Sequence, residues 1–135
     1  MNKEQIFNVS VSLIGGGISY LLGGFDGLIE TLGVLMIVDI VSKFPSIWND
    51  YSSSEMSRGL IKKAMTFVAI VVLVEMDRMT GNSQQIFRNT GCLFFISNEG
   101  LSVVENLGEY IELPAFLEKF LRALHDENDD KEVIK

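Results

Sequence analysis

Ile6-Phe7-Asn8-Val9-Ser10-Val11-Ser12-Leu13-Ile14-Gly15-Gly16-Gly17-Ile18-Ser19-Tyr20-Leu21-Leu22 contains no charged side chain. A helix that crosses about 30 Å of hydrocarbon needs about 20 residues, with a range of about 17–25. This stretch reaches the lower part of that range. Two further segments resemble it. Leu28 to Phe44 is apolar apart from Glu30, Asp39, Lys43 and two hydroxyls, and Leu60 to Met76 carries Lys62 and Lys63 near one end and Glu75 near the other. A fourth, Phe87 to Leu107, is more mixed. The first three are too continuous for half-exposed surface helices, which keep a polar face. A water-soluble four-helix bundle is the competing reading, but such charge-free stretches would overfill the core of so small a protein. A cleaved secretory signal is also disfavoured: Lys3 is offset by Glu4, and no A-x-A site follows the first segment. The expected fold is therefore an all-α membrane protein. Its three to four transmembrane or membrane-embedded helices fall at about 6–22, 28–44, 60–76 and 87–107, with a short amphipathic C-terminal helix over 114–124.

Bulk composition does not give this result. The chain has 135 residues, 47% apolar and 21% charged, with a net charge of −7. An ordinary acidic soluble domain can show the same figures. One cysteine, Cys92, and one histidine, His125, leave no internal disulfide, no CxxC and no HExxH. The acidic balance argues against a nucleic-acid partner. Position is what matters. Residues 126–132 hold five acids and one base, a net −4. The division is a membrane domain over 1–124 and an acidic, disordered tail over 125–135. The loop from Lys43 to Lys63 carries Lys43, Arg58, Lys62 and Lys63. The excess of cations on cytoplasmic loops places this loop, and with it the N-terminus, in the cytoplasm. The Gly23–Gly27 turn and the Asp77–Gln85 loop are then outside. Trp48 and Tyr51 suit the membrane–water interface next to the second segment.

Three groups of residues stand out. In the first segment Gly15, Ser19 and Gly23 form one line four apart, and Ser12 and Gly16 form another. Small residues let helices approach closely in lipid, within or between subunits. In the second, Asp39 and Lys43 are spaced as a helical ion pair, acid first. In the fourth, Asn98, Ser102 and Glu105 share one arc with Gly91 and Glu109, and Arg88, Glu99 and Asn106 lie beside it. A polar stripe on a membrane helix must meet protein, water or headgroups. It lines an aqueous path or subunit contact, packs on the other helices, or lies in the interface. After it, Pro114 opens the last helix. Phe116, Leu117, Phe120, Leu121 and Leu124 form its apolar stripe. No P-loop, GxSxG or dinucleotide fingerprint occurs. No catalytic, cofactor or metal residues are expected, and the chain is not read as an enzyme.

The block Ser97-Asn98-Glu99-Gly100-Leu101-Ser102-Val103-Val104-Glu105-Asn106-Leu107-Gly108 resembles the N-E-G-x-S-x-x-E-N motif of the toxin-secretion/phage-lysis holins of Gram-positive bacteria and their phages. Other pieces align in order. Gly23-Gly24-Phe25-Asp26 is similar to the family's G-G-W-D turn. Asp39 is similar to its second-helix acid, and Arg58-Gly59-Leu60-Ile61-Lys62-Lys63 to its K-G-x-x-K-K entry. Asp77 with Gly81, and Leu113-Pro114 with Leu117, also fit. One departure is Ile40-Val41-Ser42-Lys43-Phe44-Pro45, where the family has an aromatic and Thr-Gly, and Pro45 is expected to stop the second helix. The resemblance implies a holin. Such a protein oligomerises with itself in the bacterial cytoplasmic membrane and forms lesions. An endolysin, or a toxin, then leaves as cargo without required contact. The different-class alternative is a non-lytic membrane scaffold or accessory subunit for secretion.

Overall fold

A computed structural model describes residues 2–49, 53–119 and 122–123. The acidic tail over 125–135 and Tyr51 lie outside the described residues, as do the side chains of Trp48, Phe120, Leu121 and Leu124. All regular structure among the described residues is helical: α1 Lys3–Leu21, α2 Gly27–Asn49, α3 Ser53–Met79 and α4 Ile86–Gly108. Residues 115–119 and 122–123 are helical as well.

The helix ends follow local chemistry. Asn2 caps α1, and the Gln5 side chain accepts from the Asn2 N–H at 3.0 Å, as in a capping box. The other end of α1 closes with a Schellman motif. Gly24 N–H donates to Ser19 O and Gly23 N–H to Tyr20 O, with Gly23 at φ 74°. Asp26 then caps α2, accepting from Ile29 N–H at 3.2 Å. α2 does not stop at Pro45 but runs on to Asn49. A proline costs the helix one i→i−4 hydrogen bond, and here the helix continues past it.

α4 packs on both α2 and α3. Gly91 lets Leu73 of α3 come close: a Cβ there would stand 2.1 Å from Leu73 Cδ1. Each packed helix turns one stripe inward, at alternating steps of three and four residues. On α2 it is Ile29, Leu32, Met36 and Asp39. On α3 it is Lys63, Phe67, Ile70, Val74 and Asp77. On α4 it is Arg88, Cys92, Phe95, Glu99, Ser102 and Asn106. Leu22, Ile29, Leu32, Met36, Ile70, Val74 and Cys92 form the buried apolar centre. Polar residues close the stripes at each end. At 1.5 Å per residue, the two polar layers stand roughly 16–21 Å apart.

α1 is different, because it has no buried residue. A Cβ on Gly15, Gly16 or Gly17 would meet nothing within 4 Å. Ser12, Gly15 and Gly16 are exposed, and only Ser19 and Gly23 are half-buried. The small-residue face is therefore not packed inside the subunit.

The expected membrane spans need correction at the level of single helices. Among the described residues, no helix is long and apolar enough to cross a membrane. Charged residues stand within two of the helices: Glu30, Asp39 and Lys43 in α2, and Arg58, Lys62, Lys63, Glu75, Asp77 and Arg78 in α3. Serines, glycines and Asn8 dilute α1.

The turn after α1 makes a test. Gly23→Ala puts a Cβ into a left-handed conformation, which costs about 1–2 kcal/mol. It also sets that Cβ 3.0 Å from Arg88 Cδ. Gly17→Ala meets nothing within 4 Å and removes a helix-interior glycine, a gain of about 1 kcal/mol. Thermal unfolding of the purified chain should show the first lowering the midpoint and the second holding or raising it.

Candidate functional site

The polar residues gather in two clusters, one at each end of the apolar centre. The first is built on α4's opening turn. Gln85 precedes α4 in a left-handed conformation, φ 52°, and gives no side-chain cap. Asp77 of α3 supplies the cap from across the bundle. Its carboxylate accepts from Phe87 N–H at 3.1 Å, Arg88 N–H at 2.8 Å and Asn82 Nδ2 at 2.9 Å. A carboxylate suits the positive end of a helix.

Arg88, one turn inside α4, is fully buried. Its five N–H groups all have acceptors. Nε donates to Leu22 O at 2.7 Å. Nη1 donates to Asp26 Oδ2 at 2.7 Å and to Asn89 Oδ1 at 3.0 Å. Nη2 donates to Asp26 Oδ1 at 2.9 Å and to Gly24 O at 3.0 Å. The Asp26 contact is the two-pronged fork that a planar guanidinium makes with a carboxylate. Through it the α1–α2 turn is tied to α4. The Arg88 guanidinium holds the Asp26 carboxyl below its ordinary value, against a smaller opposing effect of burial. Gln85 Nε2 adds a bond to Gly23 O at 3.0 Å. Beside this cluster, Arg78 lies 4.0 Å over the Tyr20 ring and donates to Tyr20 O and Glu75.

The second cluster centres on Asp39, which is 2% exposed. Oδ1 accepts from Ser102 Oγ at 2.7 Å and Asn106 Nδ2 at 2.9 Å. Oδ2 accepts from Lys43 Nζ at 3.0 Å and Lys63 Nζ at 2.9 Å. Four bonds use the full lone-pair capacity of a carboxylate. Lys63 bridges on to Glu99, and Asn106 Nδ2 also donates to Ser42 Oγ at 2.8 Å. Two acids and two lysines balance each other. Among the described residues no buried side-chain polar atom lacks a partner.

The structure therefore divides the candidate residues. Glu99, Ser102 and Asn106, spaced i, i+3, i+7, turn inward to Asp39 and Lys63. Arg88 turns inward at the other end. Asn98 and Glu105 are exposed. Asp39 and Lys43 form an ion pair, and Lys63 shares the same oxygen. Three residues of this machinery were not singled out as site residues from sequence: Lys63, Asp26 and Asp77. Lys63 read as a loop cation, yet it continues the Phe67–Ile70–Val74 stripe at the same spacing. Asp26 sits directly before a helix, where an acid caps. Asp77 had no sequence mark of its target, ten residues away across a turn.

Residues 16–126 match the profile described as the bacteriophage holin family. A protein of Bacillus phage phi105 described as a probable holin is 31% identical over 117 residues, covering 84% of each chain. An uncharacterized protein of Clostridium perfringens is 30% identical over 129 residues, 91% of this chain and 93% of its own. An uncharacterized protein of Clostridium acetobutylicum is 32% identical over 112 residues, 80% of this chain and 86% of its own. No solved structure matches.

Lys63 sets the test of the second cluster. Lys63→Met leaves Glu99 without its cation, and stranding one partner of a buried pair costs about 3–5 kcal/mol. Lys63→Met combined with Glu99→Gln keeps Asp39 balanced by Lys43. Denaturant unfolding should show a large loss for the single variant and recovery of more than half of it in the double.

Proposed function

The chain belongs to the bacteriophage holin family, and on that premise we propose that it is a holin of the bacterial cytoplasmic membrane. Copies accumulate there, oligomerise, and open lesions at a set time. An endolysin, or a toxin, then escapes through them. The N-terminus and the loop between α2 and α3 lie in the cytoplasm, on the side favoured by Arg58, Lys62 and Lys63.

One observation carries the reading: Asp39, Asp77 and Arg88 are buried, while many large apolar groups are exposed. Val34, Ile37 and Val41 on α2 are exposed, as are Met65, Val68 and Val72 on α3 and Leu93 and Phe94 on α4. Along α1, Phe7, Leu13 and Ile14 are exposed. Inside, Arg88, Asp39, Lys63 and Glu99 pair with one another or with nearby acids and carbonyls. A soluble protein keeps its charges on the outside. A bilayer has no water to satisfy a polar group, so charges within it must face the interior and pair. Asp39 and Lys63, two of the charges that interrupt α2 and α3, are thus matched between helices, and Asp77 of α3 caps α4. Part of the cost that a lone α2 or α3 would carry is offset within the bundle. The two polar layers, roughly 16–21 Å apart, sit inside a hydrocarbon core of about 30 Å, each toward one edge.

Assembly then uses what the subunit leaves outside. Arg88, Glu99, Ser102 and Asn106 are buried or half-buried within the subunit. The exposed members of the polar set are Asn98 and Glu105, and these are assigned to the subunit contact or the lesion wall. The small-residue line of α1 is a second face open to other copies.

Expression from an inducible promoter in a bacterial host tests the function. With a co-expressed peptidoglycan hydrolase that cannot cross the membrane, the culture should lyse after a fixed delay. Without it, membrane potential should collapse at the same time and lysis should be much reduced. Sustained membrane potential in both cultures would count against lesion formation and favour the non-lytic scaffold.

A further inference from the structure

Asn98 has a place in the fold that its own chain does not explain. It is exposed on α4 and makes no side-chain hydrogen bond among the described residues. α4 runs Ile86–Gly108, and at 1.5 Å per residue Asn98 lies about 18 Å from its start and about 15 Å from its end. That is the middle of the helix. In the membrane reading on which this inference rests, it lies at the depth of Glu99, inside the hydrocarbon. A carboxamide there faces lipid with two donors and an acceptor unmet.

We infer that α4 pairs with α4 of a second copy of this chain, and that the two Asn98 carboxamides hydrogen-bond to each other across the contact. The amide is self-complementary: each donates an N–H to the other's carbonyl oxygen, which an acyl chain cannot do. The surrounding surface fits the same occupant. Phe94, Asn98, Leu101 and Glu105 recur at steps of four, three and four, so they form one ridge along α4. Phe94 is 60% exposed, and with Leu101 it shields the amide pair on both sides. A single buried asparagine in such a ridge sets the register and number of the paired helices. The contact is isologous, with the same patch on both copies, so it closes as a two-fold pair. Glu105 lies about 5 Å from the end of α4, where headgroup water reaches it. The inward ridge of α4, with Arg88, Glu99 and Asn106, is occupied within the subunit and is not available for this contact.

The test uses the full chain expressed in bacterial membranes. In a Cys92→Ala background, Asn98→Cys should form a disulfide-linked dimer on mild oxidation. Leu107→Cys, about half a turn around α4, and Leu13→Cys on α1 should form little. In detergent, Asn98→Leu should lower the dimer association constant by about threefold to thirtyfold, the range measured for polar contacts between membrane helices. Asn98→Gln should retain more of it. Asn98 is exposed, so neither change threatens the fold. Dimerisation of Asn98→Leu at the wild-type level, or cross-linking at Leu107→Cys or Leu13→Cys in place of Asn98→Cys, overturns the pairing and leaves the membrane reading intact. Recovery of the chain outside an alkali-washed membrane pellet overturns both.

Discussion

The fully buried guanidinium of Arg88 ties the α1–α2 turn to α4. Four of its five donors reach the C-cap residue of α1, the glycine turn and the acid that starts α2, and the fifth reaches Asn89. Its own backbone N–H is held by Asp77 from α3. Groups from all four helices or their ends therefore meet at one residue. A lysine could not replace it, since an ammonium has three donors and lacks the planar fork that grips Asp26. The glycine at position 23 is part of the same arrangement. It supplies the positive φ of the helix cap, and its missing Cβ leaves space for the Arg88 stem.

The Asp39 cluster completes the arrangement at the other end. An apolar stripe alone tolerates sliding, because one branched side chain packs much like another. A carboxylate with four directed partners does not. Asp39 takes bonds from α2, α3 and α4 at once, so a one-turn slip of any helix strands a charge. This is a specificity device, and its contribution to net stability is smaller than its count of bonds suggests. It also gives a physical meaning to the family's N-E-G-x-S-x-x-E-N block. Its Glu99, Ser102 and Asn106 fall on one face of α4 and meet Asp39 and Lys63, while Asn98 and Glu105 face away.

Much of this was legible in the sequence. Four long helices followed from the spacing of apolar segments, but the long loop expected between the second and third is mostly helix, since α2 runs to Asn49 and α3 begins at Ser53. The Asp39–Lys43 pair followed from its i, i+4 order, and the family followed from the Ser97–Gly108 block. Other features were not legible, for definite reasons. Helix periodicity places Arg88, Glu99 and Asn106 on a shared arc but does not say which arc faces the bundle. Lys62 and Lys63 read alike as loop cations, and only the packing of α3 separates the exposed one from the buried one. Pro45 was expected to end α2, because a proline removes one hydrogen bond, yet α2 runs on to Asn49. Charges counted helix by helix argue against insertion, whereas charges matched between helices do not. Sequence displays the first quantity and only the fold displays the second.

α1 is held by its C-terminal cap and has no buried residue along its length. From Lys3 to Leu21 it extends about 27 Å beyond that anchor. A change of about 10° in its direction at the glycine turn would carry its far end through about 5 Å, close to one helical pitch. Small adjustments among Arg88, Arg78 and the glycines are therefore magnified at the N-terminus. The helix acts as a lever whose fulcrum is the same side chain that gathers the rest of the fold.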